Sequence, residues 1–518
     1  MPPLDSLDPS NLPTDPAVLR AALAEALRQL KTEKNRNQRL EWWVEELRTR
    51  LFGRKSEKPE GDNQRLLQFL VEGVAARKPE PTPEPPPPAP EPDKKGHGRA
   101  KIPKDLLRNE VVHDVPKKGQ RCRDCRKVLI QIGEVTSERV EYVPACIHVE
   151  RDVRLKYACP DPECRGTILL APLPPRAVPK CKAAEGLIAY LVWQKYGAHK
   201  PLYRLQEDLA NYGFPVHRSS MWEWLWGAAL ALEPITSFMT DEVKDSPVIE
   251  TDETPVPLWD RERKVLRVGR QWVYNNPVHT VYEFTVDRKG KHPAAFLADS
   301  KGTLLSDAYS AYRTIARKSG GRLKNAFCMA HLRRLFWKAM GTDRDRALVG
   351  MAYIRALYDV EDEGRDLTPS KRKVLRQKKS KPILGKFEGW LKEQGPAVLP
   401  KSPIGKAISY AIKNWKELCL FTEDGRIRID NNRSEQTLRP WALGRKNWLR
   451  FQSERGGKVA AIFGSLIASC RRHKKNPFEY LRDVLRRIPA HPPDRLGELT
   501  PARWKPKPER PRPKPDTS

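Results

Sequence analysis

A stretch with proline at almost every second position, Lys78–Asp93 (KPEPTPEPPPPAPEPD), constrains this chain more than any other. Proline lacks the backbone donor that helices and central strands need, so this segment joins neither. It reads as a semi-rigid, polyproline-like linker over 78–98 that holds the N-terminal segment away from the body. Before it, residues from about 17 to 52 read as one helix. Leu23, Ala26, Leu30, Leu40, Val44, Leu47 and Leu51 recur at alternating steps of three and four, with Glu33 and Asn37 interrupting the seam. The region 17–58 is therefore expected to be a coiled-coil helix for self-association, which makes the chain a homo-oligomer. An amphipathic helix packed on its own protein is the alternative.

The formal net charge is +31, from 96 Lys and Arg against 65 Asp and Glu in 518 residues. Such a surplus suits a polyanion, because cations that neutralise phosphates release condensed counterions. An acidic protein partner or a ribosome-associated role is the competing account. The longest apolar run, GLIAYLVW at Gly186–Trp193, falls well short of the roughly 20 residues of a membrane span. No basic-then-apolar leader is present, and nine cysteines form an odd set. Reduced thiols, with a metal site among them, fit better than disulfides. The expectation is a soluble, cytoplasmic, nucleoid-associated protein with no membrane partner.

Behind the linker the chain reads as multidomain α+β. Residues 99–172 carry paired cysteines, and 183–240 look helical and Trp-rich. From Pro247 the pattern turns to short β-like runs: SPVIET, RQWVYN, HTVYEFTVD, a short helix around His292–Ala298, then GTLLSD and NAFCMA. Three strands, a helix and two strands is the order of an RNase H-like α/β core, expected over 245–488 with a helical insertion at about 331–425. Residues 489–518 read as a basic C-terminal tail, proline-rich from Pro501 and expected to be disordered.

Three acidic residues carry the chemistry. Asp252 and Asp307 each close a β-like run, and Glu435 opens a helical one. Carboxylates from separate elements can hold two divalent cations about 4 Å apart, one activating the nucleophile and one stabilising the leaving oxygen. Mg2+ or Mn2+ suits oxygen ligands. Acidic residues are abundant, however. Glu250 and Glu253 flank Asp252, alternation puts Glu250 on its face, and Asn432-Arg433-Ser434-Glu435 has the form of a capping box with Asn432 as N-cap.

Cys122-x2-Cys125 and Cys159-x4-Cys164 form two pairs, as in a zinc ribbon, with Cys146 and His148 near enough to substitute. Cys181, Cys419 and Cys470 read as packing residues. In LQEDLANYGFPVHRSSMWEWLWG, a helix through Leu209 should stop at Gly213 and a second begin near Arg218, with Ser219 and Ser220 at its start. That is helix-turn-helix spacing, which sets Arg218 and His217 toward DNA while Trp222, Trp224 and Trp226 pack inside. A helical hairpin that binds nothing has the same spacing. Arg439, Arg445, Lys446 and Arg450 follow Glu435, and Arg333 and Arg334 follow His331. These cations read as phosphate contacts, with Trp441 and Trp448 marking a partly buried surface; a solvated charged face is the rival.

The wording of these motifs resembles the large transposase of the insertion sequence 66 family, one of the bacterial DDE transposases. The likeness runs from roughly Leu19 to Trp504. It includes LFGRKSEK, VERDVRLKYACP, HKPLYRLQEDLANYGFPVHRSSMWEWL, TDETPV, SDAYSAY, CMAHLRRLF and, most specifically, DNNRSEQTLRPWALGRKNWLRFQSERGG. The resemblance implies that Asp252, Asp307 and Glu435 are the catalytic carboxylates of an RNase H-like domain working with Mg2+ (or Mn2+). It implies a zinc-binding Cys module and a leucine-zipper-like N-terminal helix, with double-stranded DNA (terminal inverted repeats and target) and small accessory proteins of the same element as partners. His331, three residues after Cys328, becomes a supporting candidate. The second Cys pair departs from the family pattern, with four intervening residues instead of two. Two other readings stay open: a non-catalytic zinc and helix-turn-helix DNA-binding protein with a degenerate core, and a nuclease without strand transfer.

Overall fold

The structure is a computed structural model that describes residues 174–506, together with Ala24, Ile147, Val149–Asp152 and the backbone of two short strands, Lys156–Tyr157 and Leu169–Leu170. The expected N-terminal helix (17–58, apart from Ala24), the linker (78–98), the four paired cysteines with Cys146 and His148, and residues 507–518 lie outside the described residues. The chain divides into two compact units, residues 77–149 and the remainder. Of the first, only Ile147 and Val149 are described, both exposed. In the second, the two short strands pair antiparallel.

The body of the second unit starts with three helices: α1 (Glu185–Val192), α2 (Leu202–Asn211) and α3 (Arg218–Lys244). Gly213, at φ +80, makes the turn that ends α2, and the His217 ring accepts from the Ser219 amide at 3.3 Å to cap α3. A five-stranded mixed sheet follows: β1 (Val248–Asp260), β2 (Val265–Asn275), β3 (Thr280–Thr285), then α4 (Lys291–Phe296), β4 (Gly302–Ser306), α5 (Ser310–Lys318) and β5 (Leu323–Phe327). The strand order is β3-β2-β1-β4-β5, with β1, β2 and β3 antiparallel and β4 and β5 parallel to β1. The succession of three strands, a helix and two strands along the chain, and the mixed sheet, are those that the hydrophobic runs predict; the lateral order of the strands comes from the structure.

Alternation along the strands sends neighbouring residues to opposite faces. Ile249, Trp272, Tyr274 and Leu304 share a core with α1, α2 and α3. Leu209, Met221 and Leu225 are fully buried in it, so the predicted helix-turn-helix region packs directly against the sheet. Trp224 is buried and Trp222 and Trp226 are partly buried there, as expected. Val248 and Leu305, one residue out of phase, face the other way. They are covered by α6 (Met329–Ala339), α7 (Arg344–Glu363), α8 (Pro369–Leu375), α9 (Lys381–Gln394), α10 (Pro403–Lys413) and α11 (Trp415–Cys419). These helices fill the interval read as an insertion. Within it, Arg376 is fully buried, held by Glu361 at 2.6 and 2.7 Å and by the carbonyl of Phe421 at 2.7 Å. One cation of the basic run after Pro369 therefore serves as a core strut.

The chain ends with α12 (Asn432–Trp448), α13 (Glu454–Arg472) and α14 (Pro477–Arg487). Edge strand β3 is closed by α13, whose Ser465 and Ser469 hydroxyls accept from the Tyr282 and Thr280 amides at 2.8 and 3.1 Å. Beyond α14 the chain does not become a free tail at Pro501. Trp504 is only 5% exposed, stacks edge-on to Tyr480, and donates to Asp483 at 2.6 Å. Burial of that one indole extends the folded body past the boundary that proline content suggests.

Candidate active site

Asp252 does not close its strand, as the sequence suggests. It sits inside β1, which runs on to Asp260 against β2. What ends near Asp252 is the parallel partner: β1 and β4 pair through Glu250 and Leu305, and β4 stops at Ser306. Continuing that register by two residues sets Asp252 beside Asp307, on adjacent strands that lie about 4.8 Å apart. Both fall on the face of Val248 and Leu305. Asp307 is fixed locally by accepting from the Tyr309 amide at 3.0 Å, and Ala308 between them takes a left-handed φ of 68°.

The same parity separates the rival acids. Glu253 belongs to the opposite face, where Arg288 holds it at 2.5 Å. Glu250 shares the face of Asp252 but is buried against Arg433 at 3.4 Å. Asp252 has no such cation. Burial, then the charge of Asp307, with smaller contributions from Glu253 and Glu435, pushes its carboxyl up to about 8 despite a hydrogen bond from the Glu253 amide at 2.8 Å.

Past the end of β4, one edge of β1 is open, and α12 with the segment after it runs along that edge. Pro255 and Pro257 stand where their missing donors face no strand. Instead, Asn431 donates to the Thr251 carbonyl at 2.8 Å, Arg445 to the Pro255 carbonyl, and the Phe451 amide to the Pro257 carbonyl at 2.9 Å. Leu449, at φ 63, reverses the chain so that Phe451 can reach β1. This docking brings the first turn of α12, and Glu435, to the carboxylate face.

Asn432 is not the N-cap: helix α12 starts there and Asn431 precedes it, its side chain committed to Thr251. The capping-box role for Glu435 is therefore absent, and its carboxylate faces α6. Oε2 lies 3.3 Å from Arg334, while Oε1 is buried without a hydrogen bond, 3.7 Å from the His331 ring. Cys328 binds these parts together. Its amide donates to the Ser306 carbonyl at 3.1 Å, and its Sγ accepts from the Asn431 amide at 3.2 Å. The residue before Asp307 and the approach to Glu435 thus meet at one buried cysteine, whose thiol burial pushes up to about 12.

The other predicted residues scatter. Arg439 and Lys446 are exposed on α12, and Arg450 lies over the Trp259 ring at 4.5 Å. Arg218 is exposed at the head of α3, its amide donating to Gln206 at 3.1 Å. Arg333 acts on the buried Tyr358 hydroxyl. Among the described residues, no three His, Cys, Asp or Glu side chains close around a point as a metal shell would, and like charges with no cation between them repel. Cys181, Cys419 and Cys470 are free thiols, with Cys470 fully buried, consistent with packing roles.

Residues 180–459, which contain all three carboxylates, match the family described as Transposase IS66 family. The chain belongs to that family. In this IS66 family member, residues 465–502 match the IS66 C-terminal element, the segment of α13 and α14 that ends close to the buried Trp504. Residues 39–111 match a region described as Transposase C of IS166 homeodomain, which spans the proline-rich segment instead of stopping at it. Three uncharacterized proteins of Sinorhizobium fredii are similar over most of their length. Protein y4jD is 32% identical over 420 residues, covering 78% of this chain and 81% of the relative. Protein y4hP is 31% identical over 495 residues (90% and 88%), and y4qI 31% over 512 residues (95% and 94%). No helix among the described residues is long and apolar enough to cross a membrane.

Proposed function

We propose that this IS66 family member is a DNA transposase that cuts and joins strands at Asp252, Asp307 and Glu435, on an RNase H-like core spanning 245–488. What supports the reading is the register that sets Asp252 beside Asp307 on one sheet face, and a carboxyl at Asp252 that resists ionisation because it is buried, with the charges of Asp307 and, more weakly, Glu435 adding to that effect. Mg2+ or Mn2+ fits that donor set of hard oxygens, including the unpartnered Glu435 Oε1. When bound, it supplies activation of an attacking hydroxyl and stabilisation of the leaving oxygen.

The chain's own residues do the positioning. Sheet register fixes the two aspartates relative to each other, while the docking of α12 sets Glu435 opposite them. His331 is a positioning residue for Glu435, and Arg334 offsets the glutamate charge until a cation does. Arg333, Arg334, Arg439, Arg445 and Lys446, spread along α6 and α12, contact strand phosphates, and Arg218 at the head of α3 contacts duplex DNA. The homeodomain match at 39–111 supports a second DNA-reading segment for the terminal inverted repeats. Region 17–58 assembles copies of the chain, Cys122, Cys125, Cys159 and Cys164 hold a structural Zn2+ in module 99–172, and small proteins of the same element assist.

The test is a paired assay on terminal-repeat DNA with Mg2+. Glu435→Gln should abolish both cleavage and joining while binding persists. Unchanged behaviour of the variant would point to a DNA-binding protein with a degenerate core, and cleavage without joining in the wild type to a nuclease.

A further inference from the structure

Helix α12 has a second face, away from the carboxylates, and that face lines a cavity of about 340 Å3. The volume lies within the range of about 300–1,000 Å3 common for small-molecule sites. Its walls come from four places far apart in sequence: the π-helical turn Trp193–Gly197 that extends α1, strand β3, helix α12 with the segment after it, and helix α13. A π-turn is a costly irregularity that recurs at functional sites.

Two chemistries meet in this cavity. Tyr196, Trp441, Trp448 and Phe451 give it aromatic walls, with Trp448 and Phe451 stacked at 4.9 Å and 7°. Glycines make the room: a Cβ on Gly444 would fall 2.6 Å from the Trp448 ring nitrogen, and one on Gly464 2.7 Å from Trp441. Around the rings stand Lys195, His199, Arg433, Arg450, Arg471 and Arg472, and no lining residue is Asp or Glu. Arg433 alone reaches a carboxylate, Glu250. Lys195 feels burial with no offsetting charge, which pulls its ammonium down to about 8. The Tyr196 hydroxyl is buried with no hydrogen-bond partner. Pro440, also in the wall, cannot donate to the Gln436 carbonyl one turn back. Arg471 and Arg472 donate to backbone carbonyls, of Gly197 and of Asn276 and His279, so Lys195 is the cation left to a ligand. With the idle hydroxyl it calls for an anion, while flat aromatic walls call for a planar ring.

We propose that this cavity binds a nucleotide, its base against Trp441 and Trp448 and its phosphate at Lys195 and the Tyr196 hydroxyl. The source we favour is a single unstacked nucleotide of a DNA strand held at the carboxylates, because Glu435 and Gln436 are consecutive residues on the two sides of one helix. That choice of source rests on the DNA reading above; the nucleotide chemistry does not.

The experiment uses the full chain, dAMP, and two fluorescein-labelled duplexes, one blunt and one with a short single-stranded 3′ overhang. Binding is read by anisotropy for the duplexes and by tryptophan quenching for dAMP. Wild type should prefer the overhang by about tenfold, the scale of one base–aromatic contact. Lys195→Met and Trp448→Leu should each erase that preference and the dAMP response while leaving blunt-duplex affinity within about twofold. A dAMP response lost in both variants, without any overhang preference, would keep the nucleotide cavity and assign it to free nucleotide. Wild type lacking both responses, or variants retaining them, would overturn the proposal. Blunt-duplex binding judges the DNA reading separately: its absence alongside an intact dAMP response would remove that reading and leave the cavity standing.

Discussion

The two sides of helix α12 are opposites. Toward β1 and β4 it presents Glu435 to the face of Asp252 and Asp307, where burial and then the charge of Asp307 make Asp252 resist ionisation. Toward β3 and α13 it borders a cavity where cations crowd together, and Lys195 and Arg472 are drawn down to about 8 and 10. Each cluster is unfavourable by itself, since burial weakens charged forms and like charges compound the effect. Structural ion pairs elsewhere in the molecule, such as Arg376 with Glu361, are closed pairs of opposite sign. The contrast is one of sign: α12 has buried acidic groups on one side and buried basic groups on the other, and the two sites proposed above rest on that difference.

Breaking the acidic side should have the largest effect. Asp307→Asn removes a charge and a hard ligand from the pair, and strand cleavage should fall on the order of 10³-fold in an Mg2+ assay, as expected when several kcal/mol of charge stabilisation is lost. Next, Asn431→Ala should unseat α12 from the open edge of β1. It removes a buried donor from Thr251 and should cost about 1–3 kcal/mol in urea unfolding, with activity lost in parallel.

The pH dependence sharpens the comparison. Asp252 ionises near 3.8 unfolded and at about 8 folded, so its own contribution to the metal-free fold is fully kept below the first value. That contribution is then lost as pH rises toward the second. Asp252→Asn should therefore stabilise the metal-free protein by roughly 1–3 kcal/mol near pH 8 and have no effect below pH 4, read from Tm across that window. The smallest effect belongs to Arg334→Ala. Its pair with Glu435 is about one-third exposed on both sides, so stability should shift by less than about 1 kcal/mol. The salt slope of DNA binding should drop by about one phosphate contact.

Much of this was legible from residue pattern alone. The succession of strands along the chain follows from apolar runs, and the turn between α2 and α3 from Gly213. Period-two alternation separates Glu253 from Asp252 by face but leaves Glu250 beside it, so the preference for Asp252 rested on the family resemblance. Other features depend on long-range partners that no local pattern encodes. The length of β1 was hidden because Pro255 and Pro257 look like strand breakers, and they are tolerated only because that edge has no strand beside it. Asn431 displaced Asn432 at the head of α12 because its side chain had a buried carbonyl to meet 180 residues away. Trp504 holds down a segment whose composition reads as disordered. The cavity joins four separated segments, so its cations appeared in sequence only as scattered basic residues.

The central claim is that the three carboxylates form a cation site, and Mn2+ titration calorimetry near pH 7 in two buffers of different ionisation enthalpy tests it without reference to activity. Wild type should bind Mn2+ and release a proton, because the Asp252 carboxyl is still largely protonated there. Asp252→Asn should bind far more weakly and release none. Equal binding and equal proton release by the two proteins, or no binding by either, would contradict the account.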